Sequence, residues 1–212
     1  MAQLHDLPAS AKTRQSKQIH DRIEREDMEA ILFDKIDYTQ NPLAKGEYEN
    51  CTFSDCNFSG SDLSDIKFSE CEFLGCNLSL AKLTGTAFRD VTFKDCKMLG
   101  LRFENCNQFG FLVSFYHCTL NHSSFRKQKL KKTTYKDSKL EEVDFTESDL
   151  SSSVFDNCEL TRATFESTIL EKADFRTSFG YSIDLELNRV KKAKFSQAGM
   201  IGLLDKYDIE IS

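Results

Sequence analysis

From Phe33 onward the chain carries a large apolar or aromatic residue at every fifth position: Phe33, Tyr38, Leu43, Tyr48, Phe53, Phe58, Leu63, Phe68, Phe73, Leu78, Leu83, Phe88, Phe93, Met98 and Phe103. After an irregular stretch over 104–114 the stride resumes at Phe115, runs to Phe175, and picks up Leu185, Val190 and Phe195, broken only at Gly180. Two residues ahead of each stop stands a small or apolar residue, as at Cys51, Cys56, Ser61, Ile66, Cys71, Cys76, Ala81, Thr86 and Val91. A period of five fits neither the 3.6 of a helix nor the 2.0 of a flat strand, so the backbone must turn a corner once per repeat. Four such sides close a square coil of about 20 residues, and stacked coils pair backbone to backbone at about 4.8 Å.

Stacking at 20 residues places every twentieth residue on one wall. If residues 104–114 hold one repeat plus two extra residues, one wall reads Phe33, Phe53, Phe73, Phe93, Phe115, Tyr135, Phe155, Phe175, Phe195, aromatic throughout. A second wall reads Leu43, Leu63, Leu83, Phe103, Phe125, Phe145, Phe165, Leu185. The repeats Cys-Asn-Phe-Ser-Gly (56–60), Ser-Asp-Leu-Ser-Asp (61–65), Cys-Asn-Leu-Ser-Leu (76–80) and Ala-Asp-Phe-Arg-Thr (173–177) resemble the pentapeptide-repeat family over residues 31–195. That resemblance implies an all-β fold, a right-handed quadrilateral β-helix, here with a short C-terminal capping helix. It says little about function, since one fold serves many sites.

With no Pro- or Gly-rich linker, the chain divides into a charged N-terminal segment (1–30), the repeat body (31–195) and a C-terminal block (196–212). Met1 to Glu26 lacks the apolar run of a signal peptide, and no stretch resembles a membrane span, so a cytoplasmic protein with no membrane partner is expected. The eight cysteines all fall two residues before a stop, at a spacing of five that is not the two-to-four of zinc pairs. They are expected to be free thiols packed as small hydrophobes in a reducing compartment. His117 and His122 occupy successive corners and do not converge on a metal. No nucleophile–base set and no Gly-rich phosphate loop is present in the sequence, so neither catalysis, a cofactor, a metal nor a small-molecule substrate is expected.

Charge arrangement says more than the net −6. From Arg126 to Lys139 there are seven cations against Asp137. Stacking gathers Glu49, Glu70, Glu72 and Asp90 on the N-terminal half of one edge, and Lys131, Lys132, Lys172, Lys191, Lys192 and Lys194 on its C-terminal half. Such an edge discourages strand-to-strand aggregation and also offers a basic docking strip for an acidic partner or nucleic acid. Direct nucleic-acid binding is the weaker of these two expectations.

The open ends of a solenoid need covers. Ser10 to Ile31, with Ile19, Ile23 and Ile31 among charges, is consistent with a weakly amphipathic helix that caps the first coil or stays mobile. Met200, Ile201, Leu203, Leu204 and Tyr207 fit a short helix with one apolar face, and Asp208 to Ile211 alternates like a terminal strand. This order of parts is similar to the quinolone-resistance (Qnr) branch of the family, whose members are rod-shaped dimers proposed to imitate B-DNA and to protect type II topoisomerases from drug. The resemblance implies a non-enzymatic interaction scaffold, a homodimer joined through those five C-terminal residues, and DNA gyrase or topoisomerase IV as partner. Two features depart from that branch. The interruption at 107–113 adds about two residues where the branch carries a longer loop, and lysines flank the expected dimer centre.

Overall fold

The computed structural model of the chain describes residues 28–207, 209 and 210. Its strands are short and parallel. β1 (Met28–Glu29), β3 (Glu47–Glu49), β5 (Lys67–Ser69) and β7 (Ala87–Arg89) form one four-stranded sheet. β2 (Leu32–Asp34), β4 (Thr52–Ser54), β6 (Glu72–Leu74), β8 (Val91–Lys94), β9 (Val113–Tyr116), β10 (Thr134–Lys136) and β11 (Val154–Asp156) form a second sheet of seven, in that order. Isolated parallel bridges 20 residues apart, such as Asn57↔Asn77 and Asp144↔Thr164, complete the other sides. This is the pentapeptide-type β-helix.

Register follows the aromatic wall. Phe33 pairs with Phe53, Phe53 with Phe73 and Phe73 with Phe93, each 20 residues on. Phe93 pairs with Phe115 at 22, and the step of 20 resumes through Tyr135 and Phe155. The nine rings form one continuous stack with centroids 4.6 to 5.5 Å apart and planes within 22° of parallel. Offset stacking of this kind adds to the area each ring buries.

The corner sits two residues after each stop, where the backbone enters the left-handed region: Asn50 at φ 52°, Asp55 at 51°, Asp65 at 62°, Lys132 at 60°. Asn and Asp tolerate that region best, which accounts for many of the corner residues in the sequence. The residue two before each stop is small for a reason beyond fit. At many of these positions the side chain donates to a carbonyl of the preceding coil, as Cys76 Sγ to Phe53 O (3.2 Å), Thr86 Oγ1 to Leu63 O (2.8 Å), Ser153 Oγ to Leu130 O (2.6 Å) and Ser178 Oγ to Phe155 O (2.7 Å). Cys, Ser and Thr therefore alternate at this position as small donors, and the cysteines are more than small hydrophobes.

All eight cysteines are free and buried. Burial pushes the Cys158 thiol up to about 12 and the Cys106 thiol higher still. Contact with a neighbouring sulfur and burial both hold Cys56, Cys71 and Cys96 protonated, while the same sulfur contacts push their partners Cys76, Cys51 and Cys118 down. All eight are at most 5% exposed, so access of the reagent is limiting, and native protein at pH 8 should label far more slowly than a free cysteine. After denaturation it should titrate as eight thiols. Fast native labelling, or fewer than eight on unfolding, would contradict this packing.

Within the irregular stretch 104–114 Gln108 is exposed and Phe111 turns inward, edge-on to Phe88 and Phe103 at 6.3 Å. Four expectations are corrected by the fold. Leu185 is 41% exposed rather than inward. After Gly180 the chain leaves the stride, Tyr181 and Ile183 are buried in its place, and Asn188 turns in to donate to Phe165 O (2.7 Å) and Asp184 O (2.9 Å). At the N-terminus, Met28 and Glu29 are not helical but pair with Tyr48 and Glu49 as a strand; the rest of the helix expected over Ser10–Ile31 lies outside the described residues. At the C-terminus two 3₁₀ segments, Ala198–Leu203 and Asp205–Tyr207, replace the expected helix. Ile209 and Glu210 form no strand, while Asp208 and Ile211 of that expected strand lie outside the described residues. Among the described residues no helix is long and apolar enough to cross a membrane.

Candidate functional site

The seven-stranded sheet and the two corners bordering it make the most strongly patterned surface. Each coil places outward side chains there at fixed positions, so charge can be followed level by level. The first level holds Glu29, Asp34 and Lys35, the second Glu49 and Asp55, the third Glu70 and Glu72, and the fourth Asp90 and Asp95 with Arg89 and Lys94. Eight carboxylates thus face three cations. The fifth level, Leu112 to His117, carries no carboxylate, Lys or Arg. Beyond it come Lys131, Lys132 and Lys136 with Asp137, then Asp156, then Lys172 and Arg176 with Glu171 and Asp174, and finally Lys191, Lys192 and Lys194. Here eight cations face four carboxylates.

The two halves also differ in how their charges are used. Among the described residues none of the eight N-terminal carboxylates on this face lies within ion-pair distance of a cation. In the C-terminal half every carboxylate is engaged: Asp156 by Lys136 (3.5 Å), Glu171 by Arg189 (2.6 Å), Asp174 by Arg176 (2.8 Å) and Lys194 (3.3 Å), and Asp137 by the amide of Asn157 (2.7 Å) with His117 at 3.8 Å. The Arg176 fork, with Lys194 behind it, holds the Asp174 carboxyl down at about 2. These pairs are exposed and contribute little to stability.

All six lysines of the expected basic edge are exposed on this face. Lys131 reaches Asp149 at 3.2 Å and Lys194 reaches Asp174, while Lys132, Lys172, Lys191 and Lys192 make no ion pair among the described residues. Glu49, Glu70, Glu72 and Asp90 lie on the acidic half as the stacking implied. The C-terminal residues are not equivalent. Met200, Ile201 and Tyr207 are each more than half exposed, whereas Leu203 packs on the core and Leu204 is half-buried. His122 meets Glu142 at 3.1 Å, apart from His117, and the described residues contain no group of three or more metal-ligating side chains.

One surface feature escaped the sequence reading. Phe109 is 78% exposed on the bulge made by the two extra residues, with the Arg89 guanidinium 5.9 Å from its ring centroid. An aromatic followed by Gly110 inside a break in the stride was the available signal.

The chain is matched by the family model for the pentapeptide repeat region over residues 46–110 and 111–195. No curated protein matches it. Among solved structures, two trypsin-treated variants of QnrB1, a plasmid-mediated fluoroquinolone resistance protein, superpose with TM-scores of 0.57 and 0.59. Each is 18% identical; each match covers 88% of this chain, with 100% and 92% of the other chain covered. At that identity the likeness shows the shared fold. With residues 46–195 read as this repeat and the quadrilateral β-helix on the page, the chain belongs to the pentapeptide-repeat family.

Proposed function

We propose that the protein is a non-enzymatic, cytoplasmic interaction scaffold that docks on a cationic protein surface through the acidic half of the seven-stranded face, with a type II topoisomerase as its partner. The observation that carries this reading is the set of eight carboxylates, rising one coil at a time on a rigid rod and left without ion pairs among the described residues. Carboxylates held apart from their own cations present an unneutralised field, which speeds and orients encounter with a basic cleft. The same arrangement is what imitation of a polyanion requires. A homodimer joined end to end by Met200, Ile201 and Tyr207, with Leu203 and Leu204 beneath them, is part of the proposal.

A second reading rests on a different observation, the four lysines Lys132, Lys172, Lys191 and Lys192 that lack ion pairs. It takes the basic half as the docking surface for an anionic partner. The two readings differ in sign. In a gyrase supercoiling assay with ciprofloxacin, the first expects the wild type to protect, and Lys131→Glu, Lys132→Glu, Lys191→Glu and Lys192→Glu together to leave protection intact or raise it. Reversal of Glu49, Glu70, Glu72 and Asp90 to Lys should abolish protection. Loss on reversing the lysines favours the second reading, and a wild type that gives no protection removes the topoisomerase.

A further inference from the structure

Six of the eight cysteines stand over one another inside the solenoid, in two inward columns that flank the aromatic wall. Cys56, Cys76, Cys96 and Cys118 fill one column through four successive coils, and Cys51 and Cys71 stack in the other. Their side chains repeat one arrangement. Each Sγ lies within 3.5 Å of the carbonyl oxygen two residues before it and of one in the preceding coil. Sulfurs held alike in stacked coils are separated by the coil rise, about 4.8 Å. The rings of the adjoining wall, Phe33 through Phe115, keep centroid spacings of 4.7 to 5.4 Å over the same coils.

Packing does not demand sulfur at these places. Ser178 continues the longer column and Ser153 the shorter, and each bonds the equivalent carbonyl through oxygen. A disulfide does not fit the spacing, since it needs Cβ atoms about 3.8 Å apart and sulfurs about 2.05 Å apart. Closing two coils that far would break the backbone bonds that set their separation: Asn77 N–H to Cys56 O (3.0 Å), Lys97 N–H to Cys76 O (2.9 Å) and Thr119 N–H to Cys96 O (3.0 Å). Zinc takes four ligands, and among the described residues no three ligating side chains converge. A soft ion bound by two sulfurs in line fits both number and spacing. Two metal–thiolate bonds of about 2.3 Å span roughly 4.6 Å.

We propose that these columns bind soft monovalent cations of the copper(I) and silver(I) class, one ion between each of the pairs Cys51/Cys71, Cys56/Cys76 and Cys96/Cys118. Each ion displaces one thiol proton to solvent. One sulfur binds as thiolate and the other as thiol through a lone pair, so the buried unit stays neutral. A sulfur bonded to its own Cβ cannot also bond in line both up and down the column, so alternate gaps fill and the longer column holds two ions. Cys106 and Cys158 have no stacked cysteine and take none. Because the ion joins adjacent coils of the folded chain, it stabilises that chain by mass action. Uptake is slow, since the coils must part to admit it.

The test uses the full chain, reduced and freed of reductant, with silver(I) nitrate as the probe, and contains no topoisomerase, so it stands apart from the docking reading. Protein is loaded by overnight incubation and, in a second arm that removes the access barrier, by refolding with the ion present. It is then desalted and weighed by native mass spectrometry. Wild type should carry three ions and melt at a higher temperature than the metal-free protein. Cys71→Ser and Cys76→Ser should each carry two, and the combination of Cys71→Ser, Cys76→Ser and Cys96→Ser none. Cys106→Ser with Cys158→Ser should still carry three. Serine keeps the donor to the carbonyl, so the variants should retain the parent far-UV spectrum; Cys71→Ala is the substitute at a column that already accepts Ala173. X-ray absorption at the silver edge should show two sulfur neighbours per ion. No uptake by either route, a stoichiometry that the paired cysteines do not control, or uptake that follows Cys106 and Cys158 overturns the proposal.

Discussion

Replacing Phe155 by Ala is expected to lower stability by about 3–5 kcal/mol, the range for a buried aromatic truncated in a well-packed core. Phe155 is fully buried, stacked on Tyr135 at 4.7 Å and Phe175 at 4.6 Å, and edge-on to Phe145 at 6.0 Å. The ring cannot be replaced by collapse. Its neighbours above and below are fixed by backbone pairing one coil apart, so the lost volume remains as a void in the middle of the stack. Because each coil contacts only its neighbours, the void also weakens the coupling between the two halves of the solenoid. For a chain of this length the melting temperature should fall by roughly 6–20 °C, provided unfolding stays cooperative. A two-step melt would show that the coupling has been cut, whereas an unchanged melt would mean that Phe155 is not in the stack.

The core was legible because one constraint, a corner every fifth residue, acts on every repeat in the same way. It fixed Phe33 through Phe195 as a column, including the 22-residue step at Phe93 and Phe115. Where the chain leaves that constraint, the stride alone misleads. Leu185 keeps the period but not the place, because Gly180 ends the regular side and Tyr181 and Ile183 bury themselves first. Inside the irregular stretch no stop could be assigned, and it is Phe111 that turns inward there once two residues are added. The C-terminal block reads as a helix by spacing, yet Gly199 and Gly202 bring its backbone against Tyr181 and it winds as 3₁₀ segments. Met28 sits on the same stride, five residues ahead of Phe33 and 20 ahead of Tyr48, and the charges of Glu26, Asp27 and Glu29 around it masked the strand.

The charged face was legible as positions and not as partners. Modular arithmetic on 20 places Glu70 and Asp90, or Lys172 and Lys192, on one corner, because each side chain's direction is set by the coil. Which carboxylates remain without a cation depends on side-chain reach across faces, as with Lys131 to Asp149 and Arg189 to Glu171. That reach is a matter of rotamers, which a one-dimensional pattern does not contain. The near-equal and opposite halves of the face became visible only when its corner residues were counted level by level with the strands.

Gly202→Ala is expected to detach the C-terminal cap. A Cβ at this position would fall well inside contact distance of the Tyr181 carbonyl oxygen and 3.0 Å from its carbon. Backbone of the last coil cannot rotate away as a flexible side chain could. The 3₁₀ segment must lift, and lifting it breaks the hydrogen bond from Ile183 N–H to Gly202 O (2.9 Å). It also withdraws Leu203 from the core. Overpacking of this kind costs about 1–3 kcal/mol, or more where the strain cannot relax. The larger consequence is exposure of Tyr181, Ile183 and Phe195 at an uncovered solenoid end, which invites end-on aggregation. Gly46→Ala is the control, since a Cβ there meets nothing within 4 Å, and its effect should stay within about 0.5 kcal/mol. The pair is compared by thermal melt, dye binding to exposed apolar surface, and light scattering. The alanine at position 202 should bind more dye and scatter on heating below the parent melting temperature; if it behaves like the control, the segment is not seated on Tyr181 and the end of the solenoid is covered by something else.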